Sequence, residues 1–490
     1  MRMIALVAAT LLLPSVLLAQ DAPKAGPPNE HPTEKARATG AGRPAAADPV
    51  YPLKVSANGR YLVDQNHVPY LLAGDSTQAL TTNISTADAE MFFADRQAHG
   101  FNSDWVNLLT AGPNMAGRDD GSTYDGIRPF TGHLPGGTDW NHYDLTAPNE
   151  AFFARVDQMI KLAAKHKIMI LLNPAETIAW LPALLNNGPA KCRAYGRSLG
   201  GRYKDFDNIL WMSGNDFERW QDPQCDAVAT AVALGIQDMD ARHMHTVELH
   251  VGKSVSTDDP QWAAIVSLNA AYCYGPPYIQ VLRGYNNPAK TMPVFMVEAV
   301  YEFEGNSQPK TSTPYTLRRQ EYWSLLSGAA GQLYGNGYTW PFKAGWKSHL
   351  DTPGAAQMAH LKSLFESLAW YDLVPDQAHG TLTAGYGTMI TDKDHVGGVD
   401  SNDYATAARS PDGSLVVAYL PTRRTVSIDM TRLRGPVEAR WFDPSNGVYT
   451  AVAGSPLANT GPRNFTPPGN NHDGDGDWVL VLRAAGKAAP

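Results

Sequence analysis

From Tyr70 to about Trp370 the chain repeats one pattern eight times: a short apolar, β-rich run, then a longer segment with helical spacing. A strand–helix alternation sustained over that length closes into a (β/α)8 barrel and into little else. The strand-like runs are 70–76, 101–109, 168–175, 209–215, 246–251, 265–271, 294–299 and 332–338. Helical patterns between them include 86–99, 150–166, 227–239, 317–326 and 355–370, the first opened by Ser85 with Asp88 three residues on, a variant capping box. A doubly wound sheet is the competing arrangement, but no glycine-rich phosphate loop follows the first strand. The fold class expected is α/β, a (β/α)8 TIM barrel followed by a small all-β sandwich.

Domain boundaries follow from shifts in pattern. Residues 1–20 read as a signal peptide: Arg2 supplies the positive start, 3–18 is almost wholly apolar, and Ala19-Gln20-Asp21 offers a small-residue cleavage region. The apolar run is short for a membrane span and Pro14 interrupts it, so export with no membrane anchor is expected, to a periplasm or the cell exterior. Residues 21–50 are rich in Pro, Ala, Gly and Lys and read as a disordered linker. A hairpin turning at Asn58-Gly59 opens the barrel domain, 51–374. Beyond it, 375–490 changes to short alternating strands at 385–390, 404–408, 415–419, 425–429, 437–442 and 478–482, the pattern of a sandwich of about 100 residues.

Composition excludes several classes of partner. The 490 residues carry a net charge of -8 and no basic cluster, which argues against nucleic acid and against an anionic membrane surface. The 12 Trp and 21 Tyr suit stacking on sugar rings, although barrel and sandwich cores use the same residues. Of the three cysteines, Cys192 and Cys225 fall near the starts of consecutive helices and are the pair favoured for a disulfide; three buried thiols are the alternative. Asn471-His472-Asp473-Gly474-Asp475-Gly476-Asp477 resembles the start of a calcium loop, but its twelfth position is Leu482 rather than Glu, so no metal and no cofactor are expected.

Two of the strand-like runs end abruptly in carboxylates. Ile209-Leu210-Trp211-Met212 leads into Ser213-Gly214-Asn215-Asp216, and Val294-Phe295-Met296-Val297 into Glu298, roughly the distance of three βα units apart. Barrels of this kind carry their chemistry at the carboxyl ends of the strands, and two carboxylates across the mouth are the minimum equipment for cleaving a glycosidic bond. Asp216 is then the general acid/base and Glu298 the nucleophile; the competing reading of Asp216 is a cap on the following helix. Glu218 rivals Asp216; Glu302 and Glu304 rival Glu298, but those two lie past the apolar run and read as loop residues. Glu176 and Glu248 also stand near strand ends, and Glu248 is expected to point into the barrel and to need a partner there. Asp75, Asn107, Asn173, Asn215, His250, Tyr274, Tyr301 and Tyr334 are the expected substrate contacts. The segment 110–149, at the end of the second strand, is expected to wall the cleft. A peptidase is disfavoured by the lack of a His-Glu-x-x-His helix or a nucleophile elbow. A binding protein that holds polysaccharide or matrix protein without cutting it is the alternative to an enzyme.

These residues resemble the apiosidase-like proteins of glycoside hydrolase family 140, barrels followed by a sandwich labelled collagen-binding. The likeness runs through Gly74-Asp75-Ser76, Arg96, Gly100-Phe101-Asn102, Trp211 to Asp216, Glu298 to Tyr301-Glu302, and Ser327 to Gly331 with Tyr334-Gly335. It continues in the sandwich with Arg440-Trp441-Phe442-Asp443-Pro444, Gly447 and Asp477-Trp478-Val479-Leu480. The resemblance implies a retaining hydrolase acting on an apiose-containing side chain of pectin, with Asp216 as acid/base, its pKa raised, and Glu298 as nucleophile. Gln78 stands where that family has Trp and Gln332-Leu333 where it has His-Thr, both expected near the cleft, which leaves another furanoside or pectic linkage open.

Overall fold

The computed structural model describes residues 48–250, 252–306, 310–391 and 398–486. The expected signal segment and nearly all of the expected linker lie outside the described residues. Three two-residue strands, β1 (Lys54–Val55), β2 (Leu62–Val63) and β3 (Pro69–Tyr70), form an antiparallel sheet. Its Leu53, Leu62 and Tyr70 pack into the apolar cluster inside the barrel and plug one end of it.

The barrel sheet comprises β4 (Leu72–Ser76), β5 (Ser103–Asn107), β6 (Met169–Asn173), β7 (Ile209–Gly214), β8 (His245–Glu248), β9 (Lys253–Val255), β10 (Asn269–Cys273), β11 (Val294–Glu298) and β12 (Ala329–Tyr334). Its order is β8-β7-β6-β5-β4-β12-β11-β10-β9, parallel throughout except for β9, which pairs antiparallel with β10. The seam between β8 and β10 is closed by a side chain: Ser256 Oγ donates to Val247 O at 2.6 Å and accepts from Ala270 N at 2.8 Å. Helices α1 (Leu80–Asn83), α2 (Thr86–Ala98), α3 (Glu150–Lys165), α4 (Leu181–Tyr203), α5 (Pro223–Gln237), α6 (Pro260–Ile265), α7 (Tyr278–Tyr285), α8 (Pro314–Leu326) and α9 (Pro353–Glu366) occupy the connections.

Two strands sit a few residues from their expected places. The sixth parallel strand is Asn269–Cys273 rather than 265–271, because Ile265 belongs to α6. Pro260 opens that helix and the Asp259 side chain caps it, accepting from Gln261 N and Trp262 N, a local signal stronger than the apolar run that follows. The eighth is Ala329–Tyr334 rather than 332–338; its small residues let it lie against β4, where a Cβ on Gly331 would meet Leu72 O at 2.2 Å. The long α4 went unread because Gly188-Pro189 interrupts its periodicity, and the backbone leaves helical angles at Gly188. Cys192 falls in the first turn after that break, near a helix start as expected. Cys192, Cys225 and Cys273 are all buried and none forms a disulfide among the described residues, so the favoured pairing is not made.

The carboxyl-terminal strands are β13 (Val374–Pro375), β14 (Leu382–Ala384), β15 (Thr406–Arg409), β16 (Leu415–Leu420), β17 (Val426–Asp429), β18 (Val437–Phe442), β19 (Tyr449–Ala451), β20 (Pro462–Phe465) and β21 (Trp478–Ala484). They form antiparallel sheets of order β13-β15-β16-β21-β18-β19 and β14-β17-β20 around their own core. The expected strand at 385–390 is instead irregular chain after β14. Helix α8 packs between barrel and sandwich, and every residue from Thr316 to Leu326 is buried. Among the described residues no helix is long and apolar enough to cross a membrane.

The calcium-like segment has a different use here. Asp477 takes a bidentate pair from Arg318 of α8, at 2.8 and 2.9 Å, and Asp475 accepts from the same guanidinium at 2.7 Å. Asp473 accepts from Gln357 of α9 at 2.8 Å. The carboxylates dock the sandwich on the barrel.

Candidate active site

Asp216 and Glu298 meet at the carboxyl ends of β7 and β11. The parallel register of β10 and β11 sets Tyr272 opposite Glu298, and the Tyr272 hydroxyl lies between the two carboxyls, 2.5 Å from Asp216 Oδ1 and 3.1 Å from Glu298 Oε1. Those two oxygens are therefore no farther apart than the sum of the two distances. Tyr274, two residues along on the same side, donates to Glu298 Oε1. Tyr301 donates to Oε2 at 2.8 Å, and the Gln78 amide lies 3.4 Å from Oε2 and 3.1 Å from the Tyr301 hydroxyl.

The turn that carries Asp216 is unusual. Gly214, Asn215 and Asp216 have φ of 95°, 80° and 48°, three consecutive left-handed residues. Gly214 is required there, since a Cβ would meet Glu248 O at 1.9 Å. A ladder of amides supports Asn215: its Oδ1 accepts from Asn107 Nδ2 at 2.8 Å, and Asn107 Oδ1 accepts from Asn173 Nδ2 at 3.0 Å and from Trp105 Nε1 at 3.0 Å. Asp216 does not cap the next helix; Asp222 does, accepting from Gln224 N at 3.0 Å.

Both carboxyls of the pair are pushed up. Burial is the first cause for each; for Glu298 the charge of Asp216 comes next, while Tyr274, Tyr301 and Tyr272 pull it back. For Asp216 the Tyr272 hydroxyl pulls down, Glu218 pushes up and His250 pulls down. Two carboxyls this close do not both ionise near neutrality, so they share one proton. Burial pushes Glu298 up to about 8, and the hydroxyls of Tyr274, Tyr301 and Tyr272 work against that rise by favouring its ionised form, while Tyr272 also reaches the half-buried Asp216.

The remaining expected contacts divide. Tyr274 and Tyr301 touch Glu298, and His250, at the exposed rim beyond β8, faces Asp216. Asn107, Asn173 and Asn215 are buried beneath the pair as support. Asp75 and Tyr334 are not brought to it. Asp75 is fully buried and pairs with Arg96 at 3.2 Å; Tyr334 donates to Glu302, which also accepts from Thr352 Oγ1 at 2.7 Å and Gly354 N at 3.1 Å at the start of α9. Glu302 is thus a structural anchor. Gln332 does not face the cleft as expected: on its strand it points outward, its amide 3.6 Å from Met358 Sδ of α9. In the 110–149 segment, Phe130 and Tyr143 pack on Trp180. Sequence reading missed Tyr272 and the contact of Gln78 with Glu298. The signal for Tyr272 was present in Tyr272-Cys273-Tyr274, two aromatics on one side of a strand, but the strand had been ended at Ala271.

Several buried acids also set the pH dependence of stability. Glu176 is raised to about 8 and Asp75 to about 6, burial being the main cause in each. A carboxyl with a raised pKa binds its proton more tightly folded than unfolded, so its stabilisation is full below the unfolded value and is lost as pH climbs through the folded one. Asp240 acts oppositely: held at about 2, with His243 and Trp211 donating against the cost of burial, it contributes above the ordinary carboxylate range and is lost in acid. Stability, and with it the melting temperature, is therefore expected to be higher at pH 5 than at pH 8, the free energy falling by up to about 1.4 kcal/mol per pH unit for each of these raised carboxyls as it titrates, with buried His245, lowered to about 4, opposing part of the fall. Thermal melts across that range check it; a flat or rising curve from pH 5 to 8 would contradict the assignment.

A parallel barrel with paired carboxyls at its carboxyl rim has the equipment of a glycoside hydrolase, and comparison with known proteins gives that class. Residues 56–372 match the family model described as "Apiosidase-like, catalytic domain", and residues 388–483 match a model for a "collagen-binding domain of a collagenase". The chain belongs to the apiosidase-like family of glycoside hydrolases. Among solved structures, a glycoside hydrolase superposes with a TM-score of 0.72 at 22% identity, over 89% of this chain and 98% of that one. A glycoside hydrolase family 5 structure from Bacteroides vulgatus ATCC 8482 gives 0.72 and 22% over 89% and 93%. At that identity the likeness is one of fold. No curated protein matches the chain.

Proposed function

We propose that the protein is an exported, retaining glycosidase that removes a terminal sugar, apiose or another furanoside, from a plant cell-wall polysaccharide such as pectin. The observation that carries this reading is the Tyr272 bridge: one hydroxyl reaches both carboxyls, which keeps their nearest oxygens closer than the roughly 6.5–9.5 Å gap that inverting enzymes leave for a water and supports the shorter spacing of retaining ones. In the first step Glu298 attacks the anomeric carbon as Asp216 gives its proton to the departing oxygen. In the second, Asp216 takes a proton from water, which displaces Glu298 and regenerates both groups. Tyr274 and Tyr301 hold the Glu298 carboxylate on line, and Tyr272 has one proton to offer to either carboxyl as charge moves between them. Apiose comes from the family's description alone, and Gln78 beside the nucleophile, where the resemblance leads one to expect Trp, favours keeping other furanosides in view. The apolar segment before Gln20 supports export. The sandwich, locked to α8 by Arg318, has packing as its role.

The test is sugar release, by chromatography, from rhamnogalacturonan-type pectin and from aryl furanosides and pyranosides, with the first-formed anomer read by NMR. A single sugar with retained configuration is expected. Inversion would overturn the two-step scheme. Failure to release any sugar, with glycan affinity unchanged in an Asp216→Asn, Glu298→Gln double variant, would establish the binding-protein alternative.

A further inference from the structure

A third carboxyl lies against the pair and takes no part in the steps above. Glu248 ends β8, is 1% exposed, and faces Gly214 across the β7–β8 ladder. Its Oε2 accepts the backbone N–H of Asp216 at 3.0 Å, and the Asn215 side chain also bears on the same carboxyl. The N–H it holds belongs to the left-handed run Gly214-Asn215-Asp216. Two of those residues are not glycine, and although Asn and Asp enter this region more readily than other residues, a run of three in succession persists only where its surroundings impose it. No regular element imposes it on Asp216: β7 has ended at Gly214, and α5 begins only at Pro223.

We propose that Glu248 is a positioning residue for the acid/base, its carboxyl fixing the Asp216 backbone in the turn from which the Asp216 side chain reaches Tyr272 and the leaving-group oxygen. The inference rests on Asp216 being the acid/base. Burial, and then the charges of Glu298 and Asp216, keep Glu248 protonated well above the ordinary range, so what it presents to the N–H is a neutral acceptor. A glutamine presents the same; leucine presents none, and aspartate withdraws the oxygen by one methylene.

The experiment measures kcat/KM on the phenyl and the 2,4-dinitrophenyl glycoside of the sugar released in the panel above. Phenolate needs a proton to leave; dinitrophenolate does not. Glu248→Leu and Glu248→Asp are expected to lose about 10²-fold on the phenyl glycoside and little on the dinitrophenyl one, the signature of a displaced acid. Glu248→Gln restores most of the loss. Asp216→Ala, as reference, shows the same selectivity with a larger loss. Equal losses on both substrates, or none, in a folded Glu248→Leu or Glu248→Asp while Asp216→Ala stays selective would overturn the role of Glu248 alone. Loss of selectivity in Asp216→Ala would instead overturn the acid/base assignment beneath it.

Discussion

Replacing Glu298 with Gln is expected to lower kcat/KM by roughly 10⁴-fold or more while the protein stays folded. The substitution keeps the shape of the side chain but leaves no carboxylate oxygen to attack the anomeric carbon. It also turns a group that accepts from Tyr274, Tyr301 and Gln78 into one with only a single acceptor oxygen. The melting temperature near neutral pH should hold or rise, because a neutral amide replaces a buried acid that burial has pushed up. Steady-state kinetics on the released-sugar substrate, paired with a thermal melt, checks both halves. Activity within a hundredth of wild type would remove Glu298 from the chemistry.

The largest loss of stability is expected at Arg318. Its guanidinium is 1% exposed and spends its donors on Asp477, Asp475 and Gln357 Oε1, the last at 2.8 Å. Asp477 is fully buried and also accepts from Tyr419 and Asn471. Arg318→Met leaves that carboxylate buried without its cation, at a cost of about 3–5 kcal/mol. A double variant that also replaces Asp477 by Leu recovers much of the loss, since an apolar pair of similar volume substitutes well for a buried ion pair. Urea denaturation of the two variants and the parent tests this, and an Arg318→Met protein as stable as the parent would show that the pair does not hold the sandwich.

Where the sequence was hard to read, the cause was competition between local and distant forces. The eight strands were visible because a barrel interior needs apolar runs of the right length at the right spacing, and β7 and β11 begin at the residues their patterns indicated. The sixth strand slid because Asp259 and Pro260 start a helix inside the apolar run. Helix α8 shows little amphipathic spacing because both its faces are covered, one by the barrel and one by the sandwich: Arg319 donates to carbonyls of Val399, Asp400 and Asn402, and Trp323 Nε1 to Tyr404 O. Asp75 and Tyr334 sat at strand ends like true site residues, yet face Arg96 and Glu302 rather than the pair. Position along a strand is legible in sequence; the partner that claims a side chain is not.

The architecture was legible in the chain alone, and so were the two carboxylates that end β7 and β11 and that the barrel sets side by side. Hydrophobic period and strand length are local properties, and a charged residue ending an apolar run has few places to go. What surrounds that pair was set by the folding of distant segments onto one another. The tyrosine between Asp216 and Glu298, the buried Glu248 beneath the Asp216 turn, and the arginine that takes the carboxylates of a calcium-like loop all join residues distant in the chain. Such pairings follow from register and packing, which closure of the barrel sets and no short segment encodes.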